Sequence, residues 1–147
     1  MGARRGESRA VSRVVVDASV AVPWYVEEPA TPRAVPLQSG TDTLLAPGFL
    51  LLEVASAILK RQRRGMPTAA DYPEAALREL RASPIAFTPD EALLEGAAAV
   101  SRTLRHPFYD CLYLALARRE EALLATFDDR LRDCARYLAV PLWEPPT

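Results

Sequence analysis

A chain of 147 residues with a formal net charge of −1 has the length of one domain and can bury roughly two-thirds of the surface it exposes when unfolded. Half of its residues are apolar and a quarter are charged, ordinary globular proportions that exclude a disordered or fibrous chain. No run of ~18 uncharged apolar residues exists to span a membrane, and the acidic balance means that any nucleic-acid contact must come from a local basic patch.

Residues 1–12 read as a flexible polar N-terminal tail, and residues 13–147 as a single domain. The tail opens on a basic stretch like that of a signal peptide, but Asp17 soon breaks the apolar run that follows, so export is not expected. Cys111 and Cys134, the two cysteines, suit a reducing cytoplasm, and neither stands at metal-ligand spacing from the other or from His106. Arg13 to Val16 is short, continuously apolar and β-branched, the pattern of a strand buried on both faces. Ala18 to Val26 follows as a helix with Pro23 as a kink or boundary. Pro29, Pro32 and Pro36 punctuate a segment holding one short helix before Gly40, and Leu44-Leu45-Ala46 forms a second strand, stopped by Pro47-Gly48.

Leu51, Val54, Ala55 and Ile58 recur at the spacing of one helical face, and Gly65 is a stop after a basic turn. Thr68 starts a further helix, with Asp71 as its capping partner, that runs to Leu80 and is broken at Ser83-Pro84. Ile85-Ala86-Phe87 is a strand. Thr88-Pro89-Asp90-Glu91 reads as a helix start with Thr88 at the cap, Pro89 first and Glu91 third, and that helix continues to about Leu104. Pro107 opens the next helix, which is apolar nearly all round from Cys111 to Ala117 and therefore central. Leu123 to Thr126 is a strand, Arg130 to Tyr137 a helix, and Leu138 to Leu142 a last edge strand, where Pro141 is tolerable. Short buried strands alternating with helices imply a parallel α/β sheet covered on both faces.

Four acids interrupt or border these apolar segments: Asp17 after Val14-Val15-Val16, Glu53 within Phe49–Ala55, Asp110 before Cys111–Ala117, and Asp128 after Ala122–Phe127. A desolvated carboxylate is costly unless paired, neutralised or bound to a cation, so four such placements suggest one shared cation site. Asp17 and Asp128 fall at or beyond the carboxyl ends of strands, where open parallel sheets collect ligands, and Glu53 and Asp110 lie near helix N-termini that can face the same edge. Oxygen ligands without a usable His or Cys pair favour Mg²⁺ or Mn²⁺. Lys60-Arg61-Gln62-Arg63-Arg64 is the dense basic patch: Lys60, Arg61, Arg63 and Arg64 are candidate contacts to an RNA backbone, against the alternative of a solvated helix end whose cations favour the dipole. Glu27 reads as an outer acid or a solvated loop charge, and Tyr109 and Tyr113 as core packing.

The stretches Val14-Val15-Val16-Asp17-Ala18-Ser19, Ala46-Pro47 through Glu53-Val54-Ala55, Tyr109-Asp110-Cys111-Leu112-Tyr113-Leu114-Ala115-Leu116-Ala117 and Thr126-Phe127-Asp128 resemble the PIN domain, and more narrowly the compact VapC-type toxins of bacteria and archaea. The resemblance runs from about Val14 to Leu142 and implies a PIN-like three-layer α/β/α sandwich with a short central parallel sheet. It implies that Asp17, Glu53, Asp110 and Asp128 are the catalytic, metal-binding acids, supported by the hydroxyls of Ser19 and Thr126, with Asp129 as the alternative to Asp128. It also implies a Mg²⁺- or Mn²⁺-dependent ribonuclease acting on RNA as a homodimer and held inactive by a cognate antitoxin. Gly48 departs from a position that is often polar, and His106-Pro107-Phe108 stands where small hydroxyl residues are common. Two other readings remain: a non-catalytic RNA- or protein-binding relative, in which an unused cluster of like charges would only destabilise the fold, and a Mg²⁺-dependent phosphatase of the haloacid dehalogenase type, which wants an acid where Ser19 stands.

Overall fold

The computed structural model of the chain describes residues 11–66 and 69–147. Its centre is a four-stranded, wholly parallel sheet of β1 (Arg13–Val16), β2 (Thr43–Pro47), β3 (Ala86–Thr88) and β4 (Leu123–Ala125), in the order β3-β2-β1-β4. Val15 of β1 pairs with Leu45 on one side and Leu124 on the other. Val14, Val15 and Val16 are all fully buried; because successive side chains of a strand point to opposite faces, both faces of the sheet are covered. Each such valine contributes on the order of 1.5–3 kcal/mol by leaving water.

The covering helices are α1 (Ala18–Ala21), α2 (Thr31–Ser39), α3 (Phe49–Arg63), α4 (Tyr72–Ala82), α5 (Leu94–Leu104), α6 (Phe108–Glu120) and α7 (Asp129–Tyr137). Helix α6 packs on β1, β2 and β4, with α5 against it, while α3 meets β2, α1 and α4. Cys111 through Ala117 are all buried, the central position their composition implies. Helix α3 buries Leu50, Val54 and Ile58, so its stripe is centred one residue earlier than Leu51 would place it. The chain runs from β1 outward to β2 and β3, then crosses back to β4 on the far side of β1. That reversal puts a topological switch point at the carboxyl ends of β1 and β4, the place where such sheets gather ligands.

The local corrections have physical causes. The first helix is only one turn long, giving way to a 3-10 turn at Val22–Trp24 that contains Pro23. The tail of residues 1–12 lies mostly outside the described residues, as does Thr68; the helix expected from Thr68 begins at Tyr72, with Asp71 before it and Pro73 in its first turn. Thr88 does not cap a helix. It pairs with Pro47 across the sheet and its carbonyl accepts from Gly48 N–H at 3.0 Å, so α5 starts at Leu94 after a 3-10 turn at Asp90–Leu93. Asp90 is thereby freed to accept from Phe49 N–H at 3.0 Å, satisfying one of the orphan donors at the start of α3. Gly48, next to that bond, has no side chain to cap with, and Asp90 supplies the missing acceptor. The expected strand at Leu138–Leu142 shrinks to one parallel bridge between Leu124 and Leu142, because Ala139 adopts a left-handed conformation, φ 59°, that interrupts the extended chain.

Candidate active site

Asp17 follows β1 directly and is 6 % exposed. Its Oδ2 accepts from Ser19 Oγ at 2.8 Å and from Thr126 Oγ1 at 2.6 Å. Those hydroxyls in turn accept backbone N–H groups of the segment leaving β4: Phe127 N donates to Ser19 Oγ at 2.8 Å and Asp128 N to Thr126 Oγ1 at 3.1 Å. A hydroxyl has one proton, and both protons are committed to Asp17; the 3.2 Å approach of the two oxygens is then a contact and not a further bond. Arg132 completes the scaffold by donating to the Thr126 carbonyl at 3.0 Å. Burial pushes the Asp17 carboxyl above its ordinary range, the bonds from Thr126, Ser19 and the Ala18 backbone pull it back, and the charge of Asp110 raises it again.

Glu53 sits a turn inside α3 and is half-buried. Burial raises its pKa to about 7, opposed by a hydrogen bond from Tyr113 and reinforced by the charges of Asp17 and Asp110. The Tyr113 hydroxyl donates to Glu53 Oε1 at 2.5 Å. Burial and the neighbouring acids push the Tyr113 phenol well above its usual value, so it remains a donor throughout the working range. Asp110 lies in the first turn of α6, where its charge favours the dipole. One turn before it, the buried His106 places Nε2 2.8 Å from Asp110 Oδ2. Asp128 is the cap of α7, its Oδ1 accepting from Leu131 N–H at 3.1 Å; Asp129 is in the following turn, exposed.

The charge coupling thus runs among Asp17, Glu53 and Asp110, while Asp128 joins through its backbone bond to Thr126. Three of the four carboxylates have a protein partner of their own beyond Asp17's hydroxyls: Tyr113, His106 and Leu131 N–H. Among the described residues no three His, Cys, Asp or Glu groups converge closely enough to grip one ion together. The fit to a divalent cation rests instead on the donor set, which is dominated by hard oxygens, and on the neighbouring charges that help raise the Asp17 and Glu53 carboxyls and that a cation would relieve.

Two clefts flank Glu53. One, of about 470 Å³, is lined by Phe49, Leu52, Glu53, Ser56, Lys60 and Arg61 among others. The second, of about 390 Å³, shares Glu53 and Arg61 and reaches Ser19, Glu28 and Phe127. Arg61 is ion-paired there with Glu28 at 2.6 Å, whereas Arg63 and Arg64 are exposed at the helix end. The basic patch is therefore divided, with Lys60 and Arg61 at the clefts and the other two beyond them. Glu27 is a solvated loop charge, and its neighbour Glu28 makes the ordered contact.

Several groups of the site leave only a faint trace in the sequence. His106 stood out in sequence only as a departure from a pattern, although its i, i+4 spacing to Asp110 is a usable signal. Tyr113 is core, as expected, but its hydroxyl end serves Glu53. Tyr109 is not core: it is 61 % exposed and stacks on Phe49.

Comparison with known proteins decides the family. The PIN domain family model matches residues 14–137. The chain belongs to the PIN-domain family. This PIN domain is 38 % identical over 119 residues to Ribonuclease VapC3 of Mycobacterium tuberculosis, spanning 81 % of the chain and 85 % of that protein, which sets it among the VapC-type members. The crystal structure of Mycobacterium tuberculosis VapC20, a sarcin-ricin loop cleaving toxin, superposes with a TM-score of 0.66 at 17 % identity, over 90 % of this chain and 99 % of that one. A toxin-antitoxin complex from Klebsiella pneumoniae gives a TM-score of 0.60 at 12 % identity, over 80 % and 88 % of the two chains. These structural likenesses establish the three-layer PIN-like fold.

Proposed function

We propose that this protein is an endoribonuclease that hydrolyses RNA phosphodiester bonds with the help of a divalent cation, Mg²⁺ or Mn²⁺, and acts as the toxin of a toxin–antitoxin pair. The observation that carries the reading is the buried Asp17 at the sheet's switch point, coupled to Glu53 and Asp110, in a chain so similar to a ribonuclease. A non-catalytic binding module would keep these mutually repelling acids at a cost in stability and for no return.

In this reading residues 13–147 act as one nuclease domain, and Asp17, Glu53, Asp110 and Asp128 hold the cation. When bound, such an ion supplies a water of lowered pKa and neutralises charge on the scissile phosphate. The chain's own residues do the positioning. Ser19 and Thr126 fix the Asp17 carboxylate, Tyr113 fixes Glu53 and His106 fixes Asp110. Asp128 is set by the first turn of α7, with exposed Asp129 as the alternative fourth acid. No protein nucleophile is required. Lys60, Arg61, Arg63 and Arg64 hold RNA backbone, adding affinity without sequence choice; Arg61 gives less than its charge suggests because Glu28 already shares it. The protein works in the cytoplasm as a homodimer, and a cognate antitoxin restrains it, reaching the carboxylates with an Arg whose planar fork suits them. Among the described residues no helix is long and apolar enough to cross a membrane.

Expression in a bacterial host lacking the partner tests this. Wild-type protein is expected to arrest growth and Asp110→Asn to permit it, at matched protein levels, with co-expressed antitoxin restoring growth of the wild type. Equal growth of both strains would favour a housekeeping nuclease or a binding module.

A further inference from the structure

Tyr109 is a large aromatic side chain left 61 % exposed beside an acid of the site. Its ring is not loose. It stacks on Phe49 with centroids 5.0 Å apart and planes 13° from parallel, and Phe108 meets it edge-on at 5.8 Å and 72°. Phe49 lies four residues before Glu53 on α3, and Tyr109 four residues before Tyr113 on α6. The two helices therefore face each other through successive rungs, first the Phe49–Tyr109 stack and then the Tyr113–Glu53 hydrogen bond. Four residues of helix rise ~6 Å, so the stack stands about one turn from the Glu53 carboxylate.

We propose that the Tyr109 ring, backed by Phe49, is a stacking platform for one unpaired nucleobase of the RNA substrate, beside the bond that is cut. The inference rests on the ribonuclease reading and adds a base-binding subsite to it. A flat π-face about one helical turn from the carboxylates of the site suits a nucleotide, which is itself a flat base joined to the phosphate that is cut. Phe49 stands at one end of a cleft whose other lining includes Lys60 and Arg61, roughly 16–18 Å further along α3 by helix rise, so a single strand with one base on the ring can run its backbone toward those cations. An apolar protein segment is less well served, since Glu53, Ser56, Lys60 and Arg61 of the same wall would be desolvated beneath it. The braced ring loses little freedom on binding, which favours affinity. Every base has a π-face, so the platform selects for single strands more than for sequence.

Cleavage kinetics on single-stranded RNA test the platform, using wild-type protein and the Tyr109→Ala, Tyr109→Phe and Tyr109→Trp variants. Loss of one base–aromatic stack corresponds to roughly a 5- to 150-fold fall in kcat/KM, expected for Tyr109→Ala and expressed mainly in KM. Tyr109→Phe and Tyr109→Trp should stay near wild type, because the stack needs a ring and not a hydroxyl. Scanning an abasic nucleotide through the substrate should reveal one position where wild type suffers the same loss and Tyr109→Ala loses nothing more. Unchanged kcat/KM in Tyr109→Ala, with wild type active, overturns the platform and leaves the ribonuclease reading standing. So does a loss that is equal on intact and abasic substrates, or a Tyr109→Ala effect confined to sedimentation or inhibitor binding, either of which would make the patch a protein interface or a structural brace. A wild-type protein that cleaves no RNA overturns both.

Discussion

Asp17→Asn should reduce RNA cleavage by more than about 100-fold, since loss of even an outer-shell partner costs 10–100-fold in metal affinity or activity, and it should do so without unfolding the protein. The expectation follows from where Asp17 sits. Its Oδ2 already gathers the protons of Ser19 and Thr126, and an amide oxygen can accept the same two bonds. What the substitution removes is a negative charge that burial makes costly and that Asp110 repels. The metal-free variant should therefore melt at the wild-type temperature or slightly above it. Glu53→Gln should follow the same pattern, because burial and the charges of Asp17 and Asp110 act on it in the same way; Asp110→Asn should lose activity alike, while its melting point also reflects the weakened contact with His106. Activity assays paired with thermal melts separate loss of chemistry from loss of fold. A variant that retains full activity after chelation and re-metallation would show that its acid holds no essential ion.

The second large effect is a dependence of stability on pH and on the ion together. Glu53 binds its proton more tightly in the folded chain, with a pKa raised from 4.5 to about 7, and Asp17 shifts in the same direction. A group whose folded pKa is raised contributes stability that is fully present below the unfolded value and is lost as pH climbs through the folded one. The contribution of Glu53 should thus decline between about pH 4.5 and pH 7 and be gone above that window. Glu53→Gln cannot ionise, so the difference in Tm between this variant and wild type, both metal-free, should grow in the variant's favour as pH rises. Mn²⁺ should reverse the sign for wild type, because the ion competes with the proton for the same oxygens. At 100 times its Kd an ion adds about 2.7 kcal/mol, roughly 5–10 °C in Tm for a chain of this size, and most of that gain should appear above pH 7. A Tm difference independent of pH would mean that Glu53 titrates as an ordinary surface acid.

What the sequence makes legible divides along a physical line. Val14-Val15-Val16 and Cys111–Ala117 announce themselves because a segment buried on all sides has no polar face to interrupt it. An acid at the edge of such a segment is conspicuous for the same reason, which is how Asp17 and Asp110 stand out. Features that depend on a distant partner are silent. Thr88-Pro89-Asp90-Glu91 has the chemistry of a helix start, yet pairing of Thr88 with Pro47 and the reach of Asp90 to Phe49 override the local preference. Glu53 is visible as an interruption, but its bond to Tyr113, sixty residues on, exists only because the fold brings side chains of α3 and α6 together. Tyr109 and Tyr113 look alike in sequence. One is exposed and the other fully buried, because four residues advance a helix by little more than a turn and the body of the protein ends between them. Arg61 likewise reads as one cation of a cluster, and only the fold shows Glu28 beside it.

The most direct measurement is the chemistry of the cut ends. Purified protein, stripped of metal and then given Mg²⁺ or Mn²⁺, should hydrolyse single-stranded RNA, while the stripped protein and the re-metallated Asp17→Asn variant should not. Attack by water with departure of the 3′ oxygen leaves a 5′-phosphate on one fragment and a 3′-hydroxyl on the other. That pair of ends, formed only with the divalent ion and only when Asp17, Glu53 and Asp110 are intact, is the result the carboxylate site predicts. Cleavage that persists in chelator and leaves 2′,3′-cyclic phosphates would mean that the RNA's own 2′-hydroxyl is the nucleophile, and would contradict it.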